Sequence, residues 1–259
     1  MEQMKIWWQS STAIGGFPEY RKAIENHAKK VLNPGTKIEV HGVSQGTSEL
    51  HYHYFAFLNT QQILENLLRA QREGFDAVAI GCGMDPGLEE AREILDIPVF
   101  SLSETGMLIA CMLGRKFTVI SHHHLLDRKR IDLLIQKYGL ESRSVSSEGI
   151  KVDLNVLGRA FKNPRPILTQ YTKAIKGAIR QGAEVIIPGC NILNLLAVQN
   201  HFYKVDGVPI LDAAGVLMKI TESMVTLKRV SGVQVSRKGL FESPGKELLS
   251  NVRKIYGRE

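Results

Sequence analysis

Two short apolar stretches of this sequence each end in a glycine followed by a cysteine. The first, Asp76–Ile80, leads to Cys82, and the second, Ala183–Pro188, leads to Cys190. Each predicts a buried strand that delivers a thiol into a Gly-containing turn ahead of a helix. Because parallel strands present their ligands at their carboxyl ends, both thiols occupy positions where α/β sheets place their sites.

The two cysteine turns belong to an internal repeat. A strand over Lys5–Gln9 ends at the hydroxyl of Ser10, and Lys116–Ile120 restarts the same pattern before Ser121. Each hydroxyl precedes its cysteine by a similar length of chain, and a Pro inside a short apolar run follows each cysteine turn. A duplication predicts two facing units that contribute one cysteine each. A single doubly wound domain is the alternative that the pattern leaves open.

Helical patterns separate the strands along the whole chain. They cover Pro18–Val31, Asn59–Glu73, Asp85–Leu95, a segment that opens at Ser103 as N-cap, Leu125–Tyr138, Pro166–Gln181, a helix from Asp212 to about Lys228, and a short amphipathic helix over Lys246–Tyr256. Alternating strands and helices predict mainly parallel sheets flanked by helices. We expect an α/β fold with two pseudo-symmetric, Rossmann-like lobes and a cleft between them. Residues 1–115, completed by 213–259, form the first expected lobe, and residues 116–212 form the second.

Composition narrows the class of partner. The net charge is +7, but the basic residues are dispersed, and much of the excess lies after Lys228. This distribution favours a solvated basic tail over a nucleic-acid site, with attraction of an anionic substrate as a further option. No apolar run predicts a membrane span, and no leader pattern opens the chain. We expect a cytoplasmic protein that binds a small-molecule substrate, with no nucleic-acid or membrane partner, and forms a homo-oligomer.

Two thiols at matching strand ends can do acid–base chemistry without a cofactor. A helix N-terminus lowers the pKa of a cysteine, and both Cys82 and Cys190 precede a predicted helix start. Thiols on opposite sides of one carbon, roughly 6 to 8 Å apart, can remove a proton from one face and return one to the other. Backbone amides at Gly83 and Asn191 can stabilise the enolate oxygen. Ser10, Ser11 and Ser121 are candidate substrate-binding hydroxyls.

Other conspicuous residues have simpler explanations. Cys111 lies in an apolar helical segment and is typical of a small core residue. His122–His124 is a loop or helix start rather than a metal site, since consecutive residues in a turn cannot all face one ion. His51–Tyr54 can line the cleft or pack beside it, and both options stay open. The glycines around Cys82 lack the spacing of a dinucleotide fingerprint, so we expect neither a cofactor nor a metal.

The cysteine turns, the Asp-Pro-Gly-Leu-Glu-Glu-Ala-Arg run of Asp85–Arg92 and the repeat resemble the aspartate/glutamate/hydantoin racemase superfamily. Together with Gly46–Leu50, the motifs are most similar to its hydantoin racemase branch. The resemblance covers residues 4–228 and implies two α/β lobes, no cofactor and two catalytic cysteines, which correspond to Cys82 and Cys190. Gln9–Ser11 replaces the Asn-Pro-Asn turn that is usual in this branch.

These observations predict a cofactor-independent racemase or epimerase with 5-substituted hydantoins as the expected substrates. Within the same superfamily, an amino-acid racemase or a maleate-type isomerase is the alternative. A non-catalytic small-molecule-binding protein on the same scaffold is the alternative from another class.

Overall fold

Strands and helices alternate along the chain in the computed structural model, which describes residues 3–13, 15, 17–47, 49–122, 126–146 and 149–258. The strands are β1 Met4–Gln9, β2 Thr36–His41, β3 Ala77–Ile80, β4 Val99–Ser101, β5 Phe117–Ile120, β6 Val185–Pro188, β7 Lys204–Val205 and β8 Val208–Pro209. The helices are α1 Pro18–Val31, α2 His53–Arg72, α3 Leu88–Ile94, α4 Leu102–Leu113, α5 Leu126–Lys137, α6 Leu154–Arg159, α7 Arg165–Arg180, α8 Asn191–Gln199, α9 Ala213–Ser231 and α10 Lys246–Ile255.

The first sheet is parallel throughout and has the strand order β2-β1-β3-β4. Side chains alternate across it: Ile6 and Trp8 enter one apolar cluster, whereas Trp7 enters the other with Val78 and Ile80. Successive strand residues point to opposite faces. Burial of both faces explains why β1 and β3 have nearly continuous apolar sequences rather than an apolar–polar alternation.

The second sheet repeats this order with fewer hydrogen-bonded residues. Strands β5 and β6 pair in parallel, Phe117 forms a parallel bridge to Ser144, and Ile186 forms one to Ile210. The order Ser144-β5-β6-Ile210 therefore corresponds to β2-β1-β3-β4. The predicted α/β fold with two lobes and parallel sheets is confirmed. In the Pro-containing run at 208–211, only Ile210 pairs with β6 in the way that β4 pairs with β3. The residues before it, in β8, form an antiparallel hairpin with β7 instead.

Helices α1, α4 and α9 each contact elements of both lobes. Helix α9 packs against α4, β3 and β4, so the chain returns to the first sheet after the second is complete. Helix α1 contacts both α8 and α9. Its buried His27 lies 2.7 Å from Asp212 at the N-cap of α9, and Asp212 also accepts the side-chain amide of Asn194 on α8. Polar contacts at this junction tie one element of each lobe together.

Several helix starts differ from the predictions. Helix α2 begins at His53 rather than Asn59, because its first turns expose aromatic residues and lack the buried face that periodicity detects. Helix α3 begins at Leu88 rather than Asp85, since both Asp85 and Gly87 have positive φ. Ser101, not Ser103, is the N-cap residue of α4. Helix α6 lies between the predicted helices Leu125–Tyr138 and Pro166–Gln181, where the sequence predicted no helix.

The sequence predicted a solvated basic tail, but two of its arginines bind the first lobe. Arg237 donates to the carbonyl oxygens of Arg92 and Leu95 at the end of α3. Arg253, on the correctly predicted α10, makes two 2.8 Å hydrogen bonds to Glu65 on α2. These arginines hold the tail on the first lobe. The spread of basic residues along the sequence does not show such contacts, because their partners are distant in the sequence.

In the described part of the chain, every helix is too short or too polar to cross a bilayer.

Candidate active site

The carboxyl ends of the two sheets face one cleft, and both cysteine turns contribute to its wall. The cleft has about 610 Å³ of empty space, including the part open to solvent. Its wall is formed by Ser10, Ser11, Thr12, Tyr20, Leu50, His51, Gly81, Cys82, Gly83, Met84, Ser121, His122, Asp127, Leu154, Gly189, Cys190, Asn191 and Ile192.

The Cys82 turn is held in place by the start of α4. Asp85 accepts the backbone N–H groups of Ser103 and Glu104 at 2.9 and 2.8 Å, and the hydroxyl of Tyr138 at 2.7 Å. The Ser103 hydroxyl donates to the carbonyl oxygen of Gly83 at 2.7 Å. The sequence placed Asp85 at the start of the helix that directly follows it, and this is wrong. Asp85 caps α4 instead. Burial raises the pKa of its carboxyl, although these hydrogen bonds act to lower it.

The Cys190 turn ends directly in a helix. Cys190 is the N-cap residue of α8, and its carbonyl oxygen accepts the N–H of Asn194 at 3.0 Å. The first amides of a helix have no intrahelical acceptor. At this site, the amides of Ile192 and Leu193 act to lower the pKa of Cys190. The predicted helix-terminus setting is therefore present for Cys190. It is absent for Cys82, since α3 begins only at Leu88.

Neither thiol has the lowered pKa that a helix start alone would give. Burial raises the pKa of Cys190 to about 12, and the amides of Ile192 and Leu193 oppose this only in part. Burial also raises the pKa of Cys82, against hydrogen bonds from Ser11 and from the Met84 amide. Desolvation disfavours the thiolate. At neutral pH, both sulfurs are therefore held as neutral thiols.

Every other residue predicted for the site also lies in the cleft wall. Ser10 and Ser121 follow the matching strands β1 and β5, as the repeat predicted, and Ser11 lies beside Cys82. Ser10 shares a 3.1 Å hydrogen bond with Thr12, while Ser121 donates to Asp127 at 2.8 Å. Gly83 and Asn191 follow the two cysteines directly.

The histidine-rich segments contribute less than their composition suggests. Of His51–Tyr54, His51 lines the cleft, whereas Tyr52, His53 and Tyr54 are exposed. His122 is in the wall, and His123 and His124 lie outside the described residues. Within the described ranges, no group of three or more His, Cys, Asp or Glu side chains is placed to hold a metal ion.

Cys111 lies away from the cleft. It was predicted to be a small core residue; it packs beside the larger apolar cluster but is only half-buried on α4.

Among the wall residues that sequence reasoning did not assign to the site are Thr12, Tyr20, Asp127 and Leu154. The buried Tyr20 accepts a 2.8 Å hydrogen bond from the side-chain amide of Asn191. Burial raises the pKa of Tyr20 well above its ordinary value, so the hydroxyl keeps its proton. Asp127 was detectable in principle, since it is the only acidic residue in the first turn of α5. Tyr20 gave no such signal.

Comparison with known proteins identifies the family to which this site belongs. The family model described as Asp/Glu/Hydantoin racemase matches residues 18–221. The chain belongs to this family. Membership makes it a racemase, an enzyme of the isomerase class, and the resemblance predicted from the cysteine motifs is confirmed.

Named relatives and solved structures of this racemase family agree with the assignment. The hydantoin racemase of Pseudomonas sp. (strain NS671) is 27% identical over 240 residues, which cover 92% of each chain. That of Paenarthrobacter aurescens is 28% identical over 229 residues, with 86% of this chain and 91% of the relative covered. Allantoin racemase from Pseudomonas fluorescens has the same fold, with a TM-score of 0.81, 22% identity and coverage of 94% and 98% of the two chains.

Proposed function

We propose that this racemase uses Cys82 and Cys190 as two acid–base groups, without a cofactor, at a carbon next to a carbonyl of a 5-substituted hydantoin. One observation carries the proposal: two half-buried thiols, each at the end of a corresponding strand, line the same cleft. A symmetric pair of acid–base groups is what inversion at a planar carbon requires.

In the proposed reaction, the thiolate of one cysteine removes the proton from the substrate carbon and becomes a thiol. The C–H electron pair passes into the adjacent carbonyl to form a planar enolate. The thiol of the other cysteine then delivers its proton to the opposite face and becomes the thiolate. The reaction is balanced without an oxidant or a second substrate. The two cysteines exchange protonation states in each turnover, and either can begin the cycle.

Backbone amides support the charged states in this scheme. The amides of Ile192 and Leu193 stabilise the Cys190 thiolate, and the Met84 amide with the Ser11 hydroxyl stabilises the Cys82 thiolate. The amides of Gly83 and Asn191 are assigned to the enolate oxygen. Preorganised donors of this kind are worth more in a site from which water is excluded. A thiol with a raised pKa is a weak acid, so its thiolate, once formed, is a strong base.

The substrate assignment draws on the relatives. Two relatives at 27% and 28% identity are named hydantoin racemases, and their alignments cover most of this chain. The hydantoin ring places an acidic C–H beside a carbonyl, which suits thiol acid–base chemistry. Amino acids and maleate, the substrates of the alternatives within the superfamily, are the natural comparison compounds.

Exchange of the substrate C–H with solvent deuterium tests this function. The protein is incubated in deuterium oxide with single enantiomers of 5-substituted hydantoins, with amino acids and with maleate, and exchange is followed by proton NMR. Exchange and loss of optical rotation with hydantoins support the proposal, and a Cys82→Ser/Cys190→Ser double variant is the matched control. Turnover of amino acids or maleate alone would replace the substrate assignment. Binding without exchange would favour the non-catalytic alternative.

A further inference from the structure

Ser121 and Asp127 form a hydrogen-bonded pair in the cleft wall on the side of the second lobe. Ser121 follows β5 directly, and Asp127 lies in the first turn of α5. The Ser121 hydroxyl donates to Oδ2 of Asp127 at 2.8 Å, and the two residues are only 2% and 4% exposed. Asp127 is close enough to Cys190 for its charge to act on the thiol. The pair therefore lies at the reacting end of the cleft.

The hydrogen bond fixes what Ser121 can offer to a ligand. A carboxylate only accepts hydrogen bonds, so the Ser121 proton is committed to Asp127. The Ser121 oxygen, which also lies 3.5 Å from Nδ1 of His122, keeps a lone pair that can accept a hydrogen bond from a bound molecule. Ser10, at the matching place in the first lobe, differs because its partner is the hydroxyl of Thr12, and either group can donate. Ser121 is thus an acceptor in the second-lobe wall.

The same pair gives the wall a negative charge. Among the described residues that line the cleft, Asp127 is the only carboxylate, and there is no Lys or Arg. Arg130 is nearby, but its guanidinium donates to the carbonyl oxygen of Leu50. His122 can become cationic, and its Nδ1 lies 3.5 Å from Oδ2 of Asp127. A buried carboxylate in this position repels a second carboxylate brought close to it.

We infer that the Ser121–Asp127 pair determines specificity: it accepts an N–H of a neutral cyclic amide and excludes substrates that carry a carboxylate. This inference rests on the proposed function and adds the reason why this cleft selects hydantoin-type rings over free amino acids. A hydantoin ring offers amide N–H groups and no formal charge. An amino acid places a carboxylate next to the reacting carbon, where it would meet Asp127.

A pair of probes with the same shape and different charge tests the inference. Racemic hydantoin-5-acetate and racemic hydantoin-5-acetamide are titrated into the full-length protein by calorimetry at about pH 8, where an ordinary imidazole is neutral. The wild type should bind the acetamide at least about tenfold more tightly than the acetate. Asp127→Asn should remove this preference by improving acetate binding. Asp132→Asn, on the exposed side of the same helix, is the charge-matched control and should retain it.

A second variant tests the acceptor role separately. Ser121→Ala should weaken binding of the neutral acetamide by about 10-fold or more, because the ring N–H then loses its acceptor. Equal binding of both probes by the wild type, or binding of neither, would overturn the inference, as would an Asp127→Asn variant with an unchanged preference.

The racemic probes make these measurements independent of turnover. A protein that prefers the acetamide but exchanges no C–H proton would refute the proposed racemase reaction and leave the recognition role in place. A protein that exchanges hydantoin protons but shows no preference between the probes would refute the recognition role alone.

Discussion

Gly83 lies directly against Gly189, so the two cysteine turns touch through their backbones. A Cβ atom on Gly83 would lie 2.0 Å from the carbonyl oxygen of Gly189, a distance that no real contact allows. Gly189 is confined as well, since its own Cβ would lie 2.9 Å from Cγ1 of Val119. Glycine at both positions lets the strands of the two lobes bring Cys82 and Cys190 to one cleft.

Gly83→Ala is therefore expected to separate the two turns. Misplacement of reacting groups by about 1 Å can cost about 100-fold in rate, and we expect at least that loss of kcat/KM with hydantoin substrates. The control is Gly177→Ala on α7, where an added Cβ meets only Nη2 of Arg180 at 3.9 Å and should raise the free energy of unfolding by up to about 1 kcal/mol. Wild-type activity in Gly83→Ala would show that the close approach of the turns is not required.

The sequence predicted those parts of the fold that depend on local patterns. Strands β1, β3, β5 and β6 and the two cysteine turns follow from apolar runs that end in Gly-Cys or in a hydroxyl. The start of α2 was missed because its first turns expose Tyr54 and Phe57 and show no buried stripe. Asp85 was assigned to the wrong helix because its acceptors are used by N–H groups of α4, a contact between segments distant in the sequence.

The candidate site was predictable where the repeat doubled the signal. Cys82 and Cys190, like Ser10 and Ser121, support one another because they occupy matching places. Tyr20 has no counterpart of this kind, and only the folded chain brings it to Asn191. The thiol pKa values also depend on burial in the folded cleft, which a helix start in the sequence does not report.

Tyr20→Phe should destabilise the protein. The side-chain amide of Asn191 would lose its acceptor in a buried place, which typically costs about 1–3 kcal/mol. The matched control is Tyr171→Phe, because the buried Tyr171 hydroxyl has no hydrogen-bond partner among the described residues. Its removal should leave the free energy of unfolding unchanged or raise it. Denaturant unfolding measures both, and equal stabilities of the two variants would contradict the assigned hydrogen bond.

Cys111→Ala should leave turnover nearly intact. Its side chain packs beside the apolar cluster and is absent from the cleft wall, and Arg143 contacts only its carbonyl oxygen, which alanine also has. Loss of packing should cost no more than about 1–2 kcal/mol of unfolding free energy. Steady-state kinetics and unfolding of the same preparation check this. Abolished turnover in a folded Cys111→Ala variant would mean that the wrong thiols have been assigned.

The raised thiol pKa values predict how alkylation depends on pH. Only the thiolate reacts with iodoacetamide, so below a raised pKa the rate should increase about tenfold per pH unit. In the Cys111→Ala background, modification of Cys82 and Cys190 should rise in this way from about pH 7 to pH 9, as measured by peptide mass spectrometry. A plateau below about pH 8 would indicate thiols with lowered pKa values instead.

The raised pKa of Cys190 also makes the free energy of unfolding depend on pH. Because burial raises the folded-state pKa of Cys190 to about 12, the neutral thiol favours the folded state at all pH values below the unfolded-state pKa. That contribution is lost as the pH rises from the unfolded value, about 8.5, toward 12. The free energy of unfolding of the wild type should therefore fall over this range, and Cys190→Ser should reduce the slope. Equal slopes for the two proteins would contradict the raised pKa.

The most direct test of the central claim is proton exchange by the single variants Cys82→Ser and Cys190→Ser. Each is incubated in deuterium oxide with separate enantiomers of a hydantoin that the wild type racemises, and exchange and optical purity are followed together. If each thiol serves one face, both variants should lose racemisation, because a hydroxyl of much higher pKa is a poor base. Each variant should still exchange the C–H of one enantiomer with solvent. The enantiomer that Cys82→Ser exchanges should be the opposite of the one that Cys190→Ser exchanges. Full racemisation by either single variant would contradict the two-cysteine account.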